Sequence, residues 1–252
     1  MLSDFAAWLG RDAASTSYEI DAQKFGTFGD FVGGLLNPFL TFATFAALLF
    51  TVLLQQRELS LARTEFKRTA NALEHENFEA TFFRLSSLVR ETADAITIEE
   101  GRHGVQAFRY FYERVRTYYR NEKMPTHKNA QAAYQEAYNQ YGYILGHYFR
   151  VLYNSFRYLS TKKATNAIRL KDDQDRDDVG VDIDGYAKLL RAQLSDYELA
   201  VLLYNTTSVQ GRNLRAYLEE FEILDNLPRK YLLNPDGEQL IGAKAWGSKN
   251  EP

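Results

Sequence analysis

The chain has no cysteine among its 252 residues. That absence excludes disulfide frameworks, thiolate zinc sites, iron–sulfur clusters and cysteine nucleophiles together. Only five prolines and 15 glycines are present, too few turn formers for a β-sandwich, and collagen-like or proline-rich disorder is excluded with it. There is no Walker loop, no G-x-G-x-x-G and no G-x-S-x-G elbow, so nucleotide chemistry and hydrolase-elbow chemistry are not expected. His75 opens the run HEN, but no second His follows at the spacing of a zinc helix. No cofactor is expected.

What the chain does have is aromatic residues and one long uncharged run. Seventeen Tyr, 17 Phe and two Trp make up 14% of it. From Phe31 to Gln56 there are 26 consecutive residues without a charge, bracketed by Asp30 and Arg57. Its centre, Pro38 to Leu54, is apolar all round, and a helix of that kind belongs in lipid or in a large core. About 20 apolar residues span the ~30 Å hydrocarbon layer, and a chain of this size has no core able to hide such a helix. A signal peptide fits poorly, because the run starts late, lacks a basic lead-in and has no small-residue cleavage site. The reading is a transmembrane helix over 31–56, with the lipid bilayer as a partner.

The flanks orient it. Residues 1–30 carry Asp4, Asp12, Glu19, Asp21 and Asp30 against Arg11 and Lys24, whereas Arg57, Arg63, Lys67 and Arg68 follow the span. Basic flanks stay in the cytoplasm. The expectation is a single-pass protein of the bacterial inner membrane with its N-terminus out, a short outer segment over 1–30 and the rest inside. Gly29 with Gly33, and Ala43 with Ala47, fit the small-xxx-small pattern that lets membrane helices approach closely, so a homo-oligomer is expected.

No Gly or Pro occurs between Phe39 and Glu100, so the span is expected to run on as one helix. Leu59, Phe66, Leu73, Phe78, Phe82, Leu85 and Val89 form an amphipathic stripe along it. Further helices are expected at about 105–122, 129–161, 184–192, 196–207 and 211–222, with Ser195 and Glu198 at capping-box spacing. Strand signals are almost absent, so the fold class is all-α: a membrane helix continuing into a helical bundle over 57–227, then an irregular tail over 228–252.

The order LLQQRELSLARTEFKRT, FEATFFRL, GRHGVQAFRYFYERV, LGHYFRVLYNSFRYL, YAKLLRAQLSDYELAVLLYNTTS and FEILDNL resembles the phage abortive infection protein family of bacteria. The similarity covers about residues 28–227 and is most specific over Leu145–Leu159 and Tyr186–Asn205. It implies an antiviral effector, a toxin that arrests the infected cell. The family label describes an outcome, so it fixes no catalytic residue, and a non-enzymatic role is favoured. A partner subunit of a defence system is a further expectation.

Three patterns bear on chemistry. Between Phe108 and Lys163 ten basic residues face three acidic ones. Arg109, Arg116, Arg120, Lys123, Arg150 and Arg157 belong to this basic surface, which is interleaved with 15 aromatics. Such a stretch suits phosphates and bases or an anionic leaflet, but aromatics that are core and charges satisfied within the protein are the favoured reading. Nucleic acid is the alternative partner. Seven Asp crowd residues 172–184, and Asp173, Asp175, Asp177 and Asp184 fall at EF-hand positions 1, 3, 5 and 12. Asp178 occupies the turn that needs Gly, so these are weak metal candidates and no metal is expected. Finally, Arg120-Asn121 with His127 is similar to the short motif of the all-α HEPN ribonucleases. That gives an alternative reading, a membrane-tethered ribonuclease with Arg120 and His127 on the scissile phosphate, although Pro125 interrupts the helix that would carry them.

Overall fold

The structure is a computed structural model and describes residues 22–120, 127–172 and 181–247. It is all-α, apart from one two-residue strand pair. Two compact units divide the chain, residues 1–71 and 72–252.

Helix α1 runs Ala22–Ala95 and carries Pro38 in its interior. Proline removes one intrahelical hydrogen bond and crowds the carbonyl four residues back. That carbonyl belongs to Gly34, and a Cβ built there or on Gly33 meets nothing within 4 Å. In the first unit the apolar run stands bare: Phe31, Phe39, Phe42, Phe45 and Phe50 are each well exposed, as are Leu40, Leu48 and Leu53. Thr41, Thr44 and Thr51 return their hydroxyls to the carbonyls of Asn37, Leu40 and Ala47, each at 2.8 Å. The threonines of the span therefore satisfy their hydroxyls inside the helix, which a hydrocarbon environment demands. Leu59 and Phe66, seven residues apart, are exposed too.

The second unit holds the core. Phe78, Phe82 and Val89 of α1 are buried, each 3% exposed or less. The helix ends at Ala95, and Thr97–Ile98 (β1) pairs antiparallel with Arg102–His103 (β2). Gly101 (φ +73°) and Gly104 (φ +52°) take the left-handed backbone that this reversal requires. Helix α2, Val105–Arg120, buries Ala107, Phe108, Phe111, Tyr112, Val115 and Tyr119 along one face, packing mainly on α3 (His127–Asp172) and α5 (Asp196–Asn205). Between them α4, Ile183–Ala192, is N-capped by Asp182, whose side chain accepts from Gly185 N at 3.0 Å.

Helix α5 is the centre of the bundle, with every residue from Glu198 to Asn205 buried. Its capping box forms as the spacing predicts: Ser195 caps Glu198 N while the Glu198 carboxylate accepts from Ser195 N at 2.9 Å. Glu198 is itself fully buried, so its remaining lone pairs need donors. Ser195 Oγ (2.6 Å) and Tyr148 OH (3.0 Å) donate to it, and Arg90 Nη1 lies 3.6 Å away. Burial first, and then the neighbouring carboxylate, hold the Tyr148 phenol well above its ordinary range, so it remains a donor.

After α5 come Arg215–Glu220 (α6) and short 3-10 turns at 212–214, 223–226, 229–231, 235–240 and 243–246. The stretch from 228 to 247, read from sequence as irregular, buries Ile241, Ala245 and Trp246. Tyrosine hydroxyls tie it down: Tyr112 OH donates to Tyr231 O at 3.1 Å, and Leu233 N donates to Tyr204 OH at 2.7 Å.

Candidate functional site

The second unit contains a pocket of about 310 Å³ built from one face of α3 and the turn that follows α5. Two glycines shape the α3 side, Gly146 in the wall and Gly142 under the ring of Tyr138. A Cβ on Gly142 would lie 2.6 Å from the ring of Tyr138, so the ring rests directly on the backbone there. A Cβ on Gly146 would lie 3.7 Å from Tyr138 Oη and 3.8 Å from Arg150 Nη1. Each glycine in a helix interior costs about 1 kcal/mol relative to alanine, and here that cost leaves a hollow between a phenol and a guanidinium.

The opposite wall is fixed by hydroxyls. Thr206 and Thr207 return theirs to Leu203 O and Tyr204 O, closing the end of α5. Ser208 Oγ donates to Asn205 O (2.7 Å) and accepts from Gly211 N (3.1 Å), locking the turn. Gly211 then approaches so closely that a Cβ there would sit 2.1 Å from Asn205 O and Oδ1. Asn205 is 2% exposed and lines the pocket. Its Nδ2 donates to Tyr134 OH at 2.7 Å, whereas its Oδ1 is buried with no hydrogen-bond partner. Gln210 and Asn213 add two exposed carboxamides to the rim, beside Tyr153. Arg150 has no carboxylate partner among the described residues.

The residues singled out from sequence fall as follows. Of the 15 aromatics between 108 and 163, nine are buried, and Tyr143 alone is fully exposed. The rings are core, as the favoured reading has it. Arg109 lies over the Tyr197 ring at 6.0 Å, and Arg116 pairs with Glu113 at 3.6 Å. Arg150 and Arg157 are exposed seven residues apart on α3. Arg120 ends α2 as an exposed side chain, and α3 begins at His127. The linking residues, Asn121 and Lys123 among them, lie outside the described residues, as does the His127 side chain, so the ribonuclease-like motif is not assembled by anything described. Asp173, Asp175 and Asp177 also lie outside them. Asp184 opens α4 and is ion-paired to Lys163. His75 Nε2 stands 3.6 Å from Glu79 Oε1 on one helix face. His147, on α3, is exposed. Gly29 and Gly33 meet no neighbour, and Ala43 and Ala47 are exposed on the bare part of α1.

Sequence reading missed the pocket. Its signals were present in the mid-helix pair Gly142 and Gly146, and in the small polar run Asn205–Ser208 closing an otherwise apolar helix.

Fold and composition define the class first: an all-α chain with, among the described residues, one helix long and apolar enough to cross a membrane, none of whose apolar window is buried by them. Residues 140–232 match the model of the family described as "Putative phage abortive infection protein", which bears out the family resemblance and supports a role in phage defence. The pocket walls apart from Tyr138 fall within that segment. No curated protein and no solved structure matches the chain significantly.

Proposed function

We propose that the protein is a membrane-anchored phage-defence effector that arrests the infected cell by perturbing the inner membrane. The observation that carries this reading is the 26-residue uncharged run of α1, whose centre is apolar on every side and is covered by nothing among the described residues. Exposed apolar surface costs roughly 25 cal/mol per Å² in water, so a run of this length needs lipid around it. The charge asymmetry of its flanks supports an N-terminus outside and a helical unit in the cytoplasm. Gly29, Gly33, Ala43 and Ala47 offer a small-residue face for self-association in lipid, and exposed Leu59 and Phe66 extend the bare surface beyond the span. Activation then changes how copies pack along α1, and the altered packing lets ions across the bilayer.

A membrane-potential dye in cells expressing the protein tests the mechanism. Depolarisation preceding growth arrest supports it, whereas arrest at unchanged potential contradicts it. Gly33→Leu should weaken the arrest while leaving the protein in the membrane fraction.

A further inference from the structure

The pocket on α3 has a definite chemistry. Arg150 is an exposed guanidinium without a carboxylate partner among the described residues, and the planar fork of arginine matches phosphate geometry. Gln210 and Asn213 are exposed carboxamides, each able to present a donor and an acceptor to the edge of a heterocycle. Tyr138, Phe149 and Tyr153 supply ring surface on the same walls. Asn205 lines the same wall as a buried side chain whose Nδ2 is held by Tyr134 OH. At about 310 Å³ the cavity is at the small end of ligand sites, with one cation rather than several.

We propose that this pocket binds a single phosphorylated nucleoside, either free as a nucleoside monophosphate or as the 5′ end of an RNA. Arg150 holds the phosphate, Tyr138 and Tyr153 flank the base, and the carboxamides of the turn read its edge. The missing Walker and G-x-G-x-x-G loops exclude the backbone phosphate cradles of nucleotide-hydrolysing and dinucleotide enzymes, but an arginine-based monophosphate site needs neither. The inference does not depend on the membrane mechanism, because every wall belongs to the second unit.

The test is calorimetric titration of the detergent-solubilised full-length chain with AMP, GMP, CMP and UMP, with the unphosphorylated nucleosides, and with a short 5′-phosphorylated oligoribonucleotide. One monophosphate is expected to bind, and its nucleoside about tenfold or more weakly, the loss of a charge-assisted phosphate contact. Arg150→Gln should weaken the monophosphate by the same factor, and Arg157→Gln, outside the pocket, should not. Gly146→Leu should abolish binding while the melting temperature holds or rises, since leucine favours the helix and fills the hollow. Binding confined to the oligoribonucleotide, but still Arg150-dependent, assigns the site to an RNA end. Absence of binding by every ligand at millimolar concentration overturns the proposal. So does binding that Gly146→Leu leaves intact, or that Arg157→Gln weakens as much as Arg150→Gln.

Discussion

Two stretches of this chain are apolar on every side, and they are treated in opposite ways. In α5, Leu199 to Tyr204 are buried within 2% of complete, wrapped by α2, α3 and the turns that follow. In α1, the large apolar residues from Phe31 to Leu54, half-buried Val32 apart, stand between 40% and 71% exposed. The difference lies in length and neighbours. Ten residues of helix are about 15 Å long, a core that a bundle of about 180 residues can enclose. Twenty-six residues are about 39 Å long, more than that bundle can cover and enough to span a bilayer. Omnidirectional apolarity therefore does not by itself tell a core helix from a membrane helix; the run length against the available core does.

The largest effect that would break the comparison is on location. Leu40→Arg with Phe45→Arg places two charges in the span, each costing about 2.5–3.5 kcal/mol near the helix centre. The protein should leave the membrane fraction, and a variant that stays there removes the distinction. Next in size is a matched pair of truncations. Phe78→Ala, at a fully buried ring stacked on Tyr158 (5.6 Å) and edge-on to Tyr186 (5.0 Å), should cost about 3–5 kcal/mol of the unfolding free energy. Phe66→Ala, at a ring 76% exposed, should change it by less than about 0.5 kcal/mol. Equal losses would mean that the bare part of α1 is covered by the same fold. A smaller effect sharpens the account of α5: Ser195→Ala removes its cap and should cost about 1 kcal/mol in denaturant titration.

The smallest effect is pH-dependent. Glu74 accepts a hydrogen bond from Lys162 and pairs with Arg169 at 2.7 Å. Chiefly through the Lys162 hydrogen bond, opposed by partial burial, its carboxyl is held below the ordinary value of 4.5. A depressed folded-state pKa stabilises the fold above the unfolded value, and the gain disappears as pH falls through the lower one. Glu74→Gln should therefore lower the unfolding free energy at neutral pH, by under about 1 kcal/mol given its exposure. The two proteins should converge well below pH 4.5. A constant difference across that range would show that the pair does not carry the effect.

Most of the helix pattern is legible in the sequence because the absence of Gly and Pro leaves long stretches with no stop signal, and the apolar spacing then picks the buried faces. The extension of α3 from Lys162 to Asp172 escaped that reading. Its residues KKATNAIRLKD are adequate helix formers but carry no apolar stripe. The packing of Ile241 and Trp246 was hidden for a related reason: 3-10 turns anchor single side chains without any period. The pocket was illegible because its walls lie more than 50 residues apart in sequence, and two of its defining residues are glycines, whose contribution is empty space. The antiviral role came from resemblance rather than from any periodicity, and the family match over 140–232 supports that role without identifying a reaction.

The absence of cysteine offers the most direct test of the central claim, that Phe31–Gln56 lies in the bilayer with the helical unit inside. Single replacements Thr27→Cys, Phe45→Cys and Thr117→Cys introduce the sole thiol in each variant, to be probed with a membrane-impermeant maleimide on intact spheroplasts and after lysis. The account predicts labelling of position 27 on intact spheroplasts, of position 117 only after lysis, and of position 45 only once detergent has removed the lipid. Labelling of position 45 without detergent would contradict it.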